Sequence, residues 1–149
     1  MGYKAKADLV KALKGKVVYI AGINPMGNDL NLEKALKEAK AVIAQELFLN
    51  ETAKLADVVL PAQAFTERDG SYTSGERRVQ RFYPAVTLPA GTKADFSITA
   101  LVAAEIGIDQ EGSSARKVMD RLSAVVPAFA GISYAAERLR RELSRTAST

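Results

Sequence analysis

The sequence contains no cysteine and no histidine among its 149 residues. Without cysteine, the chain has no disulfide, no thiolate metal site and no iron–sulfur ligation of its own. Without histidine, it also lacks the commonest metal ligand and the commonest general base. Zinc hydrolysis, haem ligation, a Ser-His-Asp triad and a Cys-His dyad are therefore excluded for this chain acting alone. Long apolar runs are missing too, since no stretch approaches the roughly 18 uninterrupted apolar residues of a spanning helix. The opening MGYKAKADLVKALKGK has no apolar centre of the kind a secretion signal carries. A soluble, cytoplasmic protein is the expectation. A strong charge of one sign is likewise absent: 21 basic residues face 17 acidic ones, leaving +4. The pI near 9.4 thus overstates the case for nucleic acid, and electrostatic steering is expected to be weak.

What is present is a chain that is 48% hydrophobic, long enough for one domain with a core. ADLVKALKGK reads as a helix that starts with scarcely any lead-in, as in a segment of a longer protein. VVYIAG at 17–22 is a continuous apolar run before the turn-rich INPMGNDLN, which predicts a buried strand ending in a loop. Leu32, Ala35, Leu36 and Ala39 then recur at helical spacing, with Glu33 and Lys37 an i,i+4 pair on the wet face. AVIAQELFL at 41–49 has strand length, with Gln45 and Glu46 placing its second half at the sheet rim. Asn50 caps a short helix, ETAKLA. DVVLP at 57–61 is a third strand, closed by Pro61. Strands alternating with helices through short connections predict a parallel sheet with right-handed crossovers.

After Pro61 the helical period disappears. SYTSGERRVQRF alternates about Ser74-Gly75, predicting a β-hairpin or extended excursion around 67–86. Asp95 offers an N-cap to FSITALVAAEI, which stops at Gly107. Val118, Met119, Leu122, Val125 and Val126 form the apolar face of a further helix, broken at Pro127. A last amphipathic helix turns Tyr134, Ala135, Leu139 and Leu143 inward. The fold class expected is α/β: three layers, a mainly parallel sheet with flanking helices, the excursion around 67–86, and C-terminal helices.

Three stretches invite a chemical reading. Gly22 and Gly27 have the first spacing of a phosphate-binding loop, but Asn28-Asp29 stands where Lys-Ser/Thr would hold phosphate and magnesium, so nucleotide hydrolysis is not expected. Only two glycines are present, so G-x-G-x-x-G is not met either. Ligands of open α/β sheets nevertheless bind beyond the carboxyl ends of the strands, where Gly22, Asn24 and Pro25 fall. A structural turn and a nucleotide-contacting turn both remain open on this ground. Glu67 and Asp69 have the proximity of a proton-sharing pair, although ion pairing with Arg68, Arg77 or Arg78 is the plainer use. Finally, Arg68, Arg77, Arg78 and Arg81 suggest a basic ribbon. Glu67, Asp69 and Glu76 reduce its net charge to a single positive unit, a poor footprint for counterion displacement. No nucleic-acid partner is expected, and ion pairs within the fold suit the guanidinium forks better.

The order of these segments resembles the third, α/β domain of the molybdopterin oxidoreductase family. The matching positions are Gly22, Asn24 and Pro25; Glu51, Thr52 and Ala53; Ala56 to Pro61; and Glu67, Gly70, Ser71, Tyr72, Glu76, Arg78 and Gln80. The last group, with Glu67, Gly70, Tyr72, Glu76, Arg78 and Gln80 at its centre, is the structural signature. The resemblance implies a molybdopterin-oxidoreductase-like α/β segment over residues 1–110 and a C-terminal helical extension over 111–149 packed on it. Within the family, RRVQRFYPAV and VPAFAGISY look most like the large iron–sulfur subunit of bacterial NADH:quinone oxidoreductase, respiratory complex I. That likeness implies a scaffold supporting electron transfer from NADH to quinone, with no catalytic residue and no metal ligand in this segment. It implies iron–sulfur clusters elsewhere in the same polypeptide. The missing domains of that polypeptide and other proteins of the complex I peripheral arm are the implied partners, at the inner face of the cell membrane. The alternative is a formate dehydrogenase alpha chain holding a bis-molybdopterin guanine dinucleotide, in which Gly22, Asn24, Pro25 and Glu46 approach the cofactor. Gln45-Glu46 stands where cofactor-binding relatives commonly have an Asp, and Ser74-Gly75 replaces an Asn-containing step.

Overall fold

The computed structural model describes residues 9–27 and 29–135. The fold is mixed α/β, as the alternation of apolar runs and helical periods predicts, and the chain divides into two compact units, Met1–Ala62 and Gln63–Thr149. Asn28, and the inward-facing Leu139 and Leu143 expected of the last helix, lie outside the described residues.

The first unit runs α1 (Leu9–Leu13), β1 (Val17–Ala21), a 3₁₀ turn (Pro25–Gly27), α2 (Leu30–Lys37), β2 (Ala41–Glu46), α3 (Glu51–Leu55) and β3 (Val58–Pro61). The three strands are parallel in the order β1-β2-β3, with Val18 beside Val42 and Ile43 beside Val58. Val18, Ile20, Leu36 and Val42 form the core, with Leu13, Met26, Ala39, Leu55 and Ala56 against it. Local signals account for the helix starts. Asp29 accepts from Asn31 N at 2.8 Å, and Asn50 accepts from Ala53 N at 2.9 Å as expected. The Lys37–Glu33 pair closes at 2.6 Å. Proline at the end of β3 is tolerated because β3 is an edge strand, needing no N–H for a neighbour beyond it. One expectation fails: VVYIAG is not buried throughout. Val18 and Ile20 are buried, while Val17 and Tyr19 on the other face are exposed, because α1, α2 and α3 all pack on one side of the sheet.

The second unit contains an antiparallel hairpin, β4 (Gly70–Thr73) with β5 (Val79–Phe82), then α4 (Asp95–Glu105), α5 (Ala115–Val125) and a 3₁₀ turn (Pro127–Phe129). Ala115, Met119 and Tyr134 form its core, with Val79, Phe96, Leu122, Phe129 and Ile132 packed on them. The expected hairpin is present, but its tight position is not Ser74-Gly75. Arg77 takes the left-handed conformation, φ 61°, while Ser74 N donates to Arg78 O at 2.9 Å and Arg77 N to Ser74 O at 2.9 Å. Asp95 is not the cap of α4; Ala94 occupies that position without a side-chain bond. The Asp95 carboxylate instead accepts from Arg68 Nη1, and as the first helical residue it still lies at the favourable end of the helix dipole. Gly107 ends α4 as expected, at φ 79°, with Ile108 N donating back to Ala103 O at 2.9 Å. Val125, expected on the inner face of α5, is exposed because α5 contributes Ala115, Met119 and Leu122 to the core.

Candidate site at the carboxyl ends of the parallel strands

Short apolar strands with polar ends deliver two loops to the same rim. The turn after β1 carries Gly22, Asn24 and Pro25; the end of β2 carries Gln45 and Glu46 and leads into α3. In a parallel sheet both ends point the same way, so residues over twenty positions apart become neighbours.

Gly22 has φ 67°, a left-handed turn that releases the chain from β1, and its N–H still reaches Gln45 O at 3.0 Å. Asn24 is then the hub. Its amide Nδ2 donates to Glu51 Oε2 at 2.7 Å, and its Oδ1 accepts from Thr52 Oγ1 at 2.7 Å and Thr52 N at 3.3 Å. Thr52, completely buried, accepts in turn from Met26 N at 3.2 Å. Gly27 belongs to the same device: a Cβ there would lie 2.5 Å from Asn24 Nδ2. Pro25 opens the 3₁₀ turn, where its missing N–H costs nothing. The Glu51 carboxyl is held below its ordinary range, first by its own backbone N–H, then by the Asn24 amide, with Lys54 adding a smaller pull. The whole arrangement fixes the turn against the start of α3.

Gln45 is buried and accepts through Oε1 from the Tyr19 hydroxyl. Glu46 is different. Its Oε2 accepts from Leu47 N at 3.2 Å, whereas its Oε1 is buried without a hydrogen-bond partner among the described residues. A carboxylate oxygen buried in this way is costly unless a donor reaches it. Beside it, Phe48 and Leu49 are exposed.

The hairpin signature has structural uses. Glu67 Oε2 accepts from Ala64 N at 2.9 Å, closing its own turn rather than sharing a proton with Asp69. Gly70 lies under the ring of Phe82, where a Cβ would come within 2.6 Å of the ring; Phe82 also stacks on Tyr72 at 4.7 Å. Tyr72 and Gln80 are register partners. Glu76 and Arg78 pair at 3.4 Å, both about three-quarters exposed, an arrangement of little energetic weight. Asp69 pairs not with a nearby arginine in sequence but with Arg81, twice, Nε to Oδ1 at 3.0 Å and Nη2 to Oδ2 at 2.5 Å, because the hairpin brings the strand ends together. The Arg81 guanidinium is sandwiched between the rings of Tyr83 at 4.5 Å and Tyr134 at 4.3 Å. The Asp69 hydrogen bonds push its pKa up from an already high value. Arg68, Arg78 and Arg81 of the ribbon are thus engaged in intramolecular contacts.

A groove of about 750 Å³ lies along α4 and residues 109–113 and holds no residue nominated from the sequence. Several of its polar groups satisfy one another: Ser97 Oγ donates to Gly112 O at 2.7 Å, and Glu111 accepts from Ser113 N and Oγ at 2.7 and 2.6 Å. Those two bonds hold the Glu111 carboxyl below its ordinary range.

Gly22, Asn24, Pro25 and Glu46 all belong to the rim of the sheet; Asn24 meets Glu51 and Thr52, which the sequence offered only as pattern matches. The profile of the family described as Molybdopterin oxidoreductase matches residues 1–105. The chain belongs to the molybdopterin oxidoreductase family. Among its relatives is the "F420-dependent formate dehydrogenase 2 subunit alpha" of Methanococcus maripaludis, 42% identical over 129 residues, 83% of this chain and 19% of the relative. The "F420-dependent formate dehydrogenase subunit alpha" of Methanocaldococcus jannaschii is 39% identical over 124 residues, 80% of this chain and 18% of the relative. "Formate dehydrogenase H" of Escherichia coli is 32% identical over 138 residues, 89% of this chain and 19% of the relative. The chain therefore spans about a fifth of the length of these curated relatives. These relatives overturn the likeness to the large iron–sulfur subunit of complex I. The stretches that suggested it, RRVQRFYPAV and VPAFAGISY, supply Arg81 and Tyr134 to ion pairing and ring packing, and such contacts carry no information about the electron acceptor.

Proposed function

We propose that this chain is a cofactor-binding segment of a formate dehydrogenase alpha chain, and that its sheet rim contributes to the site of a molybdopterin guanine dinucleotide. The names and coverage of the relatives support this reading, and the buried, unpartnered Oε1 of Glu46 carries it. A guanine edge offers adjacent N–H donors, the complement of a carboxylate with one oxygen still unsatisfied. Gly22 at the adjoining turn has no side chain to obstruct approach, with nothing within 4 Å of a Cβ built there. Glu46 in place of the commoner Asp reaches one methylene further while keeping the same charge and acceptors.

The residues present fit the group. Glu46 would hold the base, the Gly22 backbone would line its approach, and the Asn24–Glu51–Thr52 network with Pro25 would keep the turn rigid. When bound, such a cofactor supplies a metal centre for two-electron oxidation, with formate as the proposed substrate of the parent enzyme. This chain's part is binding and orientation.

The parent polypeptide, purified natively, should contain molybdenum or tungsten at about one per chain and release guanosine monophosphate on acid hydrolysis; finding neither would refute the proposal. Glu46→Ala should lower the guanosine monophosphate retained after gel filtration by roughly tenfold or more, the weight of one charge-assisted contact.

A further inference from the structure

Gln45 is almost fully buried, 1% exposed, although it stands beside Glu46 at the very end of β2. Neighbouring side chains of a strand alternate, so its amide lies on the other face from the Glu46 carboxylate. A buried primary amide is costly unless hydrogen-bonded, and Gln45 Oε1 accepts from the Tyr19 hydroxyl of β1. Tyr19 is the register partner of Ile43, two residues before Gln45 on the same face, so the ring reaches diagonally across the sheet to the strand end. An aliphatic pair of similar shape would fill both positions without desolvating polar groups, as Val42, Ile43 and Ala44 do along the same strand. A satisfied buried polar pair instead fixes one geometry.

The geometry fixed there is that of Glu46 and Gly22. Gly22 N donates to Gln45 O at 3.0 Å, and Ala62 N donates to Glu46 O at 3.0 Å. The peptides on either side of the Glu46 Cα are thus each tied to the residue that follows a neighbouring strand. Leu47 N belongs to the second of these peptides and donates to Glu46 Oε2 at 3.2 Å, which leaves Oε1 as the oxygen still to be met. A glutamate has one more rotatable bond than an aspartate, so its carboxylate depends more heavily on such anchorage.

We propose that Tyr19 and Gln45 are positioning residues for base recognition. Through Gln45, the Tyr19 hydroxyl holds the end of β2 so that Glu46 Oε1 and the Gly22 backbone keep the separation a guanine requires. Neither residue touches the nucleotide. This role rests on Glu46 receiving the base, and it places the control of selectivity one strand away, at a hydroxyl. Guanine presents N–H donors at N1 and N2, whereas adenine presents an acceptor at N1. A firmly held carboxylate therefore repels adenine, and a loosened one discriminates less.

Isothermal titration of the cofactor-free parent polypeptide with guanosine diphosphate and with adenosine diphosphate tests it. Wild type should bind the guanine nucleotide roughly tenfold or more tightly than the adenine one. Tyr19→Phe removes one oxygen from a ring that is 38% exposed, a change the fold tolerates. It should cut the preference to about threefold or less while adenosine diphosphate affinity stays within about twofold. Gln45→Met, which keeps the length and loses the acceptor, should do the same. In a Glu46→Ala background, Tyr19→Phe should leave the ratio unchanged, because its effect passes through that carboxylate; a further drop there would count against the role. An unaltered preference in Tyr19→Phe would overturn it, as would an equal weakening for both nucleotides, which marks loss of structure alone. A wild type without guanine preference would defeat the reading of Glu46 as the base-binding group, and the positioning role with it. A wild type with that preference and a Tyr19→Phe variant that keeps it would defeat the positioning role alone.

Discussion

Arg77 stands in the left-handed region at φ 61° in a turn that also contains a glycine, Gly75, whose conformational freedom goes unused. A Cβ in that region costs about 1 kcal/mol. Arg77→Gly should therefore stabilise the hairpin by up to about 1 kcal/mol, less what glycine loses through its unfolded-state freedom, read from urea midpoints. Gly70 is the opposite case. Its hydrogen faces the Phe82 ring, and Gly70→Ala forces a Cβ to 2.6 Å from that ring; destabilisation of about 1–3 kcal/mol is expected, with loss of the Tyr72–Phe82 stacking signal in near-ultraviolet circular dichroism. Arg81 combines a bidentate bond to Asp69 with two ring faces. Arg81→Lys keeps the charge and loses the planar fork, so thermal unfolding should report a cost of about 1–2 kcal/mol.

At the scale of elements, the turn after β1 and the start of α3 are one unit joined by Asn24. Asn24→Ala leaves buried Thr52 without its acceptor, and equilibrium unfolding should show a loss of about 1–3 kcal/mol. The start of α3 also sets a pH dependence, through the Glu51 backbone N–H first and the Asn24 amide second. The folded Glu51 carboxyl titrates below its unfolded value, so its contribution is present above the ordinary carboxylate range and disappears as pH falls through the folded value. Thermal midpoints of the wild type should drop more steeply than those of Glu51→Gln below that range. Much at this scale was legible in advance. Asn50 and Gly107 are local signals, a side-chain acceptor at one helix start and a left-handed residue at another's end. Asp95 misled because a cap-forming side chain also serves as an ion-pair partner, and Arg68 arrives from twenty-seven positions away.

On the scale of the whole molecule, basic and acidic groups interleave, and the best-placed arginines are already paired. Titration with single- or double-stranded DNA at low salt should show no binding, the condition under which phosphate contacts are strongest. The sequence by itself determined the fold class, the three parallel strands, the hairpin and the family, since each rests on periodicity, caps and motif spacing, all local properties of the chain. It also nominated Gly22, Asn24, Pro25 and Glu46, because strand ends in parallel sheets converge whatever follows. Only the tertiary structure decided that Asn24 binds Glu51 and Thr52, that Asp69 chooses Arg81, that one Glu46 oxygen is buried without a donor among the described residues, and that Val17 and Tyr19 are exposed while Val18 and Ile20 are buried. Those outcomes depend on which distant side chains arrive within about 3 Å of one another, and on which side the right-handed crossovers fall. Neither quantity is written in any short stretch of sequence.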